Sequence, residues 1–305
     1  MRSEYYYDSL GGGVIRACRW TPEGEVRAIV QIVHGIAEHV SRYDDFAKFL
    51  NRQGILVVAA DHMGHGKSVC EKTPKGCISG GWMSMVKDAY RLTRDTIEEF
   101  PGVPFVLFGH SMGSFVARTM LAKFPDSGIR AAIICGSAWM PEAVVSAGKT
   151  ASGMICKLKG ENHYSTLLQK MMFGGYDKRI DHPRTKSDWL SRDNRIVDAY
   201  EADPLCGFIP SAGLVNAMME GILYIQKKEN MERMEKNLPV WFIAGGDDPV
   251  GAYGDGVRKA AEEFKKCGME HVDVRIYPLC RHEILNELNR QEVYDHIAEW
   301  IGNFI

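Results

Sequence analysis

Apolar residues in this chain follow two rhythms, and the switch between them marks its elements. Ile55 to Ala60, Pro104 to Phe108, Ala131 to Cys135, Val240 to Ala244 and Val272 to Tyr277 are short unbroken runs rich in Val, Ile and Phe. Such runs predict strands buried on both faces. Tyr5 to Asp8, Val14 to Trp20 and Ala28 to His34 predict three earlier strands, the first two joined as a hairpin across Gly11-Gly12-Gly13. Between the runs, Tyr43 to Arg52, Met85 to Phe100, Ser114 to Phe124, Asp255 to Cys267 and Gln291 to Ile301 repeat apolar residues at helical spacing, and Gly268 stops one of them. Strand and helix in alternation imply right-handed crossovers. The expected architecture is α/β, a mostly parallel eight-stranded sheet with helices on both faces.

The segment 137–237 breaks the alternation. It contains no clear strand, whereas Ser211 to Lys227 sets Leu214, Met218, Ile222 and Ile225 on one helical face. A helical cap, 137–237, inserted into a core of 1–136 and 238–305 is therefore expected. Eight of the fifteen methionines fall in it, at 140, 154, 171, 172, 218, 219, 231 and 234. Their flexible thioethers suit a surface that adapts to apolar ligands, although each could equally fill core. Within 157–195, nine Lys and Arg face five Asp and Glu, a local +4 in a chain of net charge -2. That is either a solvated cap face or a surface for transient contact with an anionic lipid interface.

At 305 residues the chain suits one large domain or a core with an insertion. Its near-neutral charge argues against nucleic acid as a partner. The start, MRSEYYYDSL, has no apolar signal core, and no run is long enough to span a bilayer, so a cytoplasmic protein without a transmembrane segment is expected. Eight cysteines without a C-x-x-C pair predict free thiols rather than disulfides or zinc. His34, His39, His62 and His65 invite a metal, but Asp61-His62-Met63-Gly64-His65-Gly66 reads as a loop whose imidazoles bond backbone. Neither metal nor cofactor is expected.

The chemistry concentrates around Gly109-His110-Ser111-Met112-Gly113, which joins a strand to a helix. A serine between two glycines at such a turn forms a nucleophile elbow, with the hydroxyl exposed on strained backbone. A serine hydroxyl needs a histidine to take its proton and a carboxylate to orient that histidine. Both should follow later strands, in the order acid then histidine. His271 precedes the last strand and His296 lies in the terminal helix, which leaves His282, in the loop after Val272 to Tyr277. Asp247 and Asp248 both follow the strand Val240 to Ala244, and neighbouring carboxylates cannot both face one imidazole. The oxyanion formed on attack needs preorganised donors; the Met112 N–H, opening a helix, is one, and Ile36, after the third strand, is the expected second.

The strings VHGIAEHVSRY, DHMGHGKS, GHSMG, DPLCGF, GGDDPV and YPLCRHEILNE, spread from His34 to Glu287, resemble the monoacylglycerol lipase and lysophospholipase branch of the α/β-hydrolases, serine aminopeptidase S33-like proteins. Asp248 fits the G-x-x-D-x-V spacing common in that fold and is favoured over Asp247. The resemblance implies a triad of Ser111, Asp248 and His282, an oxyanion hole of Ile36 and Met112, and a lid at 137–237 over an acyl-chain pocket. Gly35, His110, Cys206 and Met218 are expected to meet substrate, and Cys206 or Cys280 could turn a thiol to the pocket. The implied activity is hydrolysis of single-chain lipid esters, of monoacylglycerol or lysophospholipid type, through an acyl-serine. Short-chain or aromatic soluble esters, an aminopeptidase-like reaction and a non-enzymatic ligand sensor are the alternatives.

Overall fold

A computed structural model, which describes residues 1–305, gathers the apolar runs into a single sheet. Its strands are β1 (Arg2–Asp8), β2 (Val14–Trp20), β3 (Ala28–Val33), β4 (Ile55–Ala60), β5 (Phe105–His110), β6 (Ala131–Cys135), β7 (Val240–Gly245) and β8 (Val272–Tyr277). They run in the order β1-β2-β4-β3-β5-β6-β7-β8. β2 pairs antiparallel with both β1 and β4, and every other pairing is parallel, which is the expected sheet. β1 starts three residues earlier than the pattern predicts, because Arg2, Ser3 and Glu4 pair with β2 at an exposed edge where no apolar alternation is required. β8 departs from the expected two-sided burial. As the other edge strand it leaves Asp273, Val274 and Arg275 exposed.

Helices α1 (Asp44–Asn51), α2 (Gly81–Glu99) and α3 (Met112–Lys123) follow β3, β4 and β5. Between β6 and β7 come α4 (Glu142–Lys159), α5 (Thr166–Phe173), α6 (Asn194–Ala202), α7 (Ala212–Gln226) and the short α8 (Lys228–Met231), and α9 (Asp255–Lys266) and α10 (Arg290–Gly302) complete the chain. Phe46 of α1 and Ile297 of α10 pack with Phe108 and Ile243 on one face of the sheet. Val86, Val116 and Val257, from α2, α3 and α9, pack with Leu107 and Phe242 on the other. The amphipathic patterns thus cover both faces, as parallel strands require.

Apart from a small cluster of Leu190, Tyr200 and Cys206, the segment between β6 and β7 shares this second core. Leu214, Met218, Ile222 and Ile225 of α7 are buried in it. At Gly221 a side chain would meet the Trp82 ring at 2.1 Å, so glycine there lets α7 and α2 touch. No helix is long and apolar enough to cross a membrane.

β3 and β5 are neighbours, and the helices that follow them, α1 and α3, pack on opposite faces of the sheet. Parallel sheets open a crevice at such a switch point, beyond the C-terminal ends of the strands. The loop after β3 and the turn after β5 flank it.

Candidate active site

Ser111 follows β5 and is the N-cap of α3, with φ 54° and ψ −123°, outside the regions favoured by L-residues. Its N–H donates to the Cys135 carbonyl at 3.0 Å, which ties the strained residue to β6. The flanking glycines are there because nothing larger fits. A Cβ on Gly113 would lie 2.0 Å from the Val33 carbonyl oxygen, and one on Gly109 2.6 Å from that of Gly113. Met112 opens α3, so its N–H has no carbonyl four residues back within the helix. In the loop after β3, Gly35 donates its N–H to Glu38 Oε1 at 2.6 Å, and the Ile36 N–H makes no bond within the protein. Gly35 also lets this loop close on the nucleophile, since a Cβ there would sit 3.0 Å from Ser111 Cβ.

His282 Nδ1 lies 2.9 Å from Asp248 Oδ2, and Asp248 is fully buried. The other oxygen of Asp248 accepts the Val250 N–H at 2.9 Å. Asp247 is exposed and holds the loop through its backbone, donating its N–H to the Cys280 carbonyl. Gly136, at φ 57°, leaves room for the imidazole; a Cβ there would come within 3.1 Å of His282 Cε1. Ser111 and His282 line the same cavity without a direct hydrogen bond between their side chains. The structure therefore brings Ser111, His282, Ile36 and Met112 to one wall, with Asp248 behind His282.

Glu38, which the motif reading passed over, is the hub beneath this wall. Its Oε1 also accepts from Tyr43 OH at 2.9 Å and lies 3.1 Å from His110 Nδ1, while Oε2 accepts from Arg42 at 3.0 Å. Burial would keep His110 neutral, but the hydrogen bond and charge of Glu38 outweigh it and raise its pKa. Burial likewise opposes charge on Glu38, and His110 and Arg42 overcome it. Arg42 forks onto Glu283 at 2.6 Å through each nitrogen, next to His282.

The cavity has a volume of about 450 Å³. Five of the eight methionines of 137–237, at 140, 171, 172, 218 and 219, line it. Gly35, His110 and Met218 line it, whereas Cys206 does not. Cys206 packs with Leu190 and Tyr200 while its neighbours Gly207 and Phe208 face the cavity, and burial raises its thiol pKa. Cys280 is also turned away, donating to Asn289 Oδ1 at 3.1 Å. The aromatic side of the cavity was missed. Trp189 lies 5.1 Å from the His282 ring and 4.8 Å from that of Tyr176. A lone tryptophan in the polar stretch 181–189 was the available signal.

The pattern of the serine aminopeptidase family S33 matches residues 24–289. The chain belongs to that family. It is similar to the monoacylglycerol lipase of Mycolicibacterium smegmatis, 29% identical over 307 residues that cover 98% of this chain and 97% of that protein. The monoglyceride lipase of Mus musculus is 28% identical over 282 residues, 89% of this chain and 84% of that protein. Among solved structures, a thermostable carboxyl esterase from Bacillus coagulans in complex with glycerol has a TM-score of 0.91 at 32% identity, covering 99% of this chain and 98% of that one. This S33-family protein is an α/β-hydrolase of the monoacylglycerol lipase type and a carboxylic ester hydrolase.

In this S33 hydrolase the segment between β6 and β7 is bonded to the loop that carries His282. The Trp189 carbonyl accepts the His282 N–H at 3.3 Å and the Leu190 carbonyl accepts that of Glu283 at 2.8 Å. Arg281 Nη1 donates to the Asp188 carbonyl at 2.6 Å, and Arg192 pairs with buried Glu287 at 2.9 Å.

His34, His62 and His65 cluster below the loop after β3, with ring centroids 4.2 to 5.8 Å apart. Four of their ring nitrogens turn to backbone; His34 Nε2 accepts the His62 backbone N–H at 3.0 Å and His65 Nδ1 lies 2.9 Å from the Met63 carbonyl, while His65 Nε2 has no protein partner. Burial, then the neighbouring imidazoles, holds His34 far below its ordinary pKa; burial takes His62 to about 3 and lowers His65. A histidine depressed in the fold contributes stability that is complete above its unfolded pKa of about 6.5 and is lost as pH falls toward the folded value. Three such groups steepen acid unfolding by up to about 1.4 kcal/mol per pH unit each. His110 acts oppositely, its contribution being present below about pH 6.5 and lost as pH rises through its raised pKa. Stability is expected to peak near pH 6.5 and fall toward pH 5, as read from urea midpoints. Equal midpoints at about pH 7 and pH 5 would sink this account.

Proposed function

We propose that this chain hydrolyses esters of single-chain lipids, of the monoacylglycerol type, through an acyl-Ser111 intermediate. The observation that carries this reading is the cavity itself, methionine-lined along the insertion and open at its base to Ser111 and His282. His282 would take the Ser111 proton as Oγ attacks the ester carbonyl carbon, with the Ile36 and Met112 N–H groups holding the oxyanion. Collapse breaks the bond to the alcohol oxygen, which receives the proton from His282. Water, deprotonated in turn by His282, then releases the fatty acid and restores Ser111. Asp248 would hold the imidazole throughout. The names of the lipase relatives and the glycerol of the Bacillus coagulans esterase complex agree with this leaving alcohol.

The segment 137–237 would serve as the lid. Val144, Met154, Leu158, Leu167 and Met171 stand exposed on α4 and α5, and together with Lys157 and Lys159 they support transient contact with a lipid surface. Eight free cysteines agree with a cytoplasmic setting. A second reading, esters of aromatic alcohols, rests on the Trp189 ring beside His282, with Tyr176 packed against it in the cavity wall.

An ester series separates these readings. Monoacylglycerols of rising chain length should give kcat/KM values that climb beyond six carbons and exceed those of aryl acetates. A maximum at two to four carbons would overturn the lipid reading, and aryl esters leading at every length would favour the second. A pre-steady-state burst with an activated ester should accompany turnover, which a ligand sensor would lack.

A further inference from the structure

The loop that carries Ile36 is fastened at both ends, and one fastening comes from the inserted segment. On one side Gly35 donates its N–H to Glu38. On the other, the Ala37 carbonyl accepts two hydrogen bonds, from Tyr200 OH at 3.0 Å and from the Gly207 N–H at 3.0 Å. Tyr200 belongs to α6 and Gly207 to the turn beyond it. Ala37 itself has φ 57°, left-handed backbone that costs an alanine about 1 kcal/mol and persists only where its surroundings enforce it. Both donors to its carbonyl lie in the insertion, more than 160 residues away in the chain. Tyr200 is held in turn, buried, with the Arg42 guanidinium 4.9 Å from its ring centre, and Arg42 is the residue that forks onto Glu283 beside His282.

We infer that Tyr200 is a positioning residue: by bonding the Ala37 carbonyl it keeps the Ile36 N–H aimed at the oxyanion, so that seating of the insertion and assembly of the oxyanion hole are one event. The inference rests on the acyl-Ser111 reading above. A donor turned away before reaction must be reoriented at the transition state, and that reorganisation appears in kcat. A segment lifted from the core would free the Ala37 carbonyl, and with it the Ile36 donor, in addition to releasing the bonds from 188–192 to the His282 loop.

Tyr200→Phe tests this, because it keeps the ring and its stacking with Arg42 and removes only the hydroxyl. The expected result is a fall in kcat of about tenfold, part of the hundredfold or more that loss of a whole oxyanion donor costs, with KM changed less than about twofold. Affinity for an alkyl trifluoromethyl ketone, which forms a tetrahedral oxyanion on serine, should fall by the same factor. The matching alkyl methyl ether, which cannot form that adduct, should bind as before. Tyr200 also lines the cavity, so a change in KM and ether binding with kcat intact would make it a substrate contact and overturn the inference. Unchanged kcat and ketone affinity would overturn it as well. Thermal unfolding identifies misfolded protein, and Tyr200→Trp, which cannot place a donor at the same point, should match the Phe variant in ketone affinity if it folds. Phosphonate labelling that persists in Ser111→Ala would instead bring down the underlying reading, whatever Tyr200 does.

Discussion

Ser111→Ala is expected to lower kcat by about five to six orders of magnitude and to abolish labelling by an alkyl fluorophosphonate, while the protein stays folded. The magnitude follows from what remains. Without the hydroxyl no acyl-enzyme forms, yet the cavity, the Ile36 and Met112 donors and the Asp248–His282 pair are untouched, so residual turnover reflects binding and oxyanion stabilisation acting on water. The fold should tolerate the change because the backbone at Ser111 is held by its N–H bond to Cys135 and by Ser114, which donates N–H and Oγ to the Ser111 carbonyl, rather than by the Ser111 side chain. Undiminished turnover in the purified variant would remove covalent catalysis at this residue.

Asp248→Asn is expected to cost about four orders of magnitude in kcat, and Asp247→Asn less than about twofold. An amide at 248 can present its NH2 group to Nδ1, favouring the tautomer that places a proton on the nitrogen facing Ser111. Asp247 lies one residue away with its side chain in solvent. Single-turnover rates for both variants with one activated ester check the pair. Comparable losses, or a larger loss at 247, would reassign the acid.

Legibility in the sequence followed the reach of the forces involved. β3 to β7 could be read because strands buried on both faces leave nearly unbroken apolar runs, and α7 because one face must meet the core. The segment 142–173 resisted reading for the same reason. α4 buries only Val145 and Ser152, and α5 only Leu168, because their apolar side chains face the cavity or solvent. The elbow was visible because its glycines are demanded by contacts within a few residues and with the adjacent strand. The approach of Asp248 to His282 could be anticipated from strand order, since successive loops of a parallel sheet emerge at one end. Trp189 and Tyr200 were not, because His282 and Ala37, which they meet, lie far off in the chain; Glu38 was not, because its bonds to Gly35, Arg42, Tyr43 and His110 follow no motif. Cys206 shows the limit in the other direction, since nearness to a recognisable string does not say which way a side chain turns.

The bonds between 188–192 and the loop at 281–287 bear on how such enzymes diversify. The segment 137–237 exchanged as one block between relatives would cut the contacts that hold the His282 loop, and the recipient would acquire a new pocket at the expense of its base. Changes confined to the methionine-lined wall avoid that conflict, since α4, α5 and the cavity face of α7 share none of those bonds. Substrate range in this architecture is then most freely altered one wall residue at a time, with the junction inherited intact.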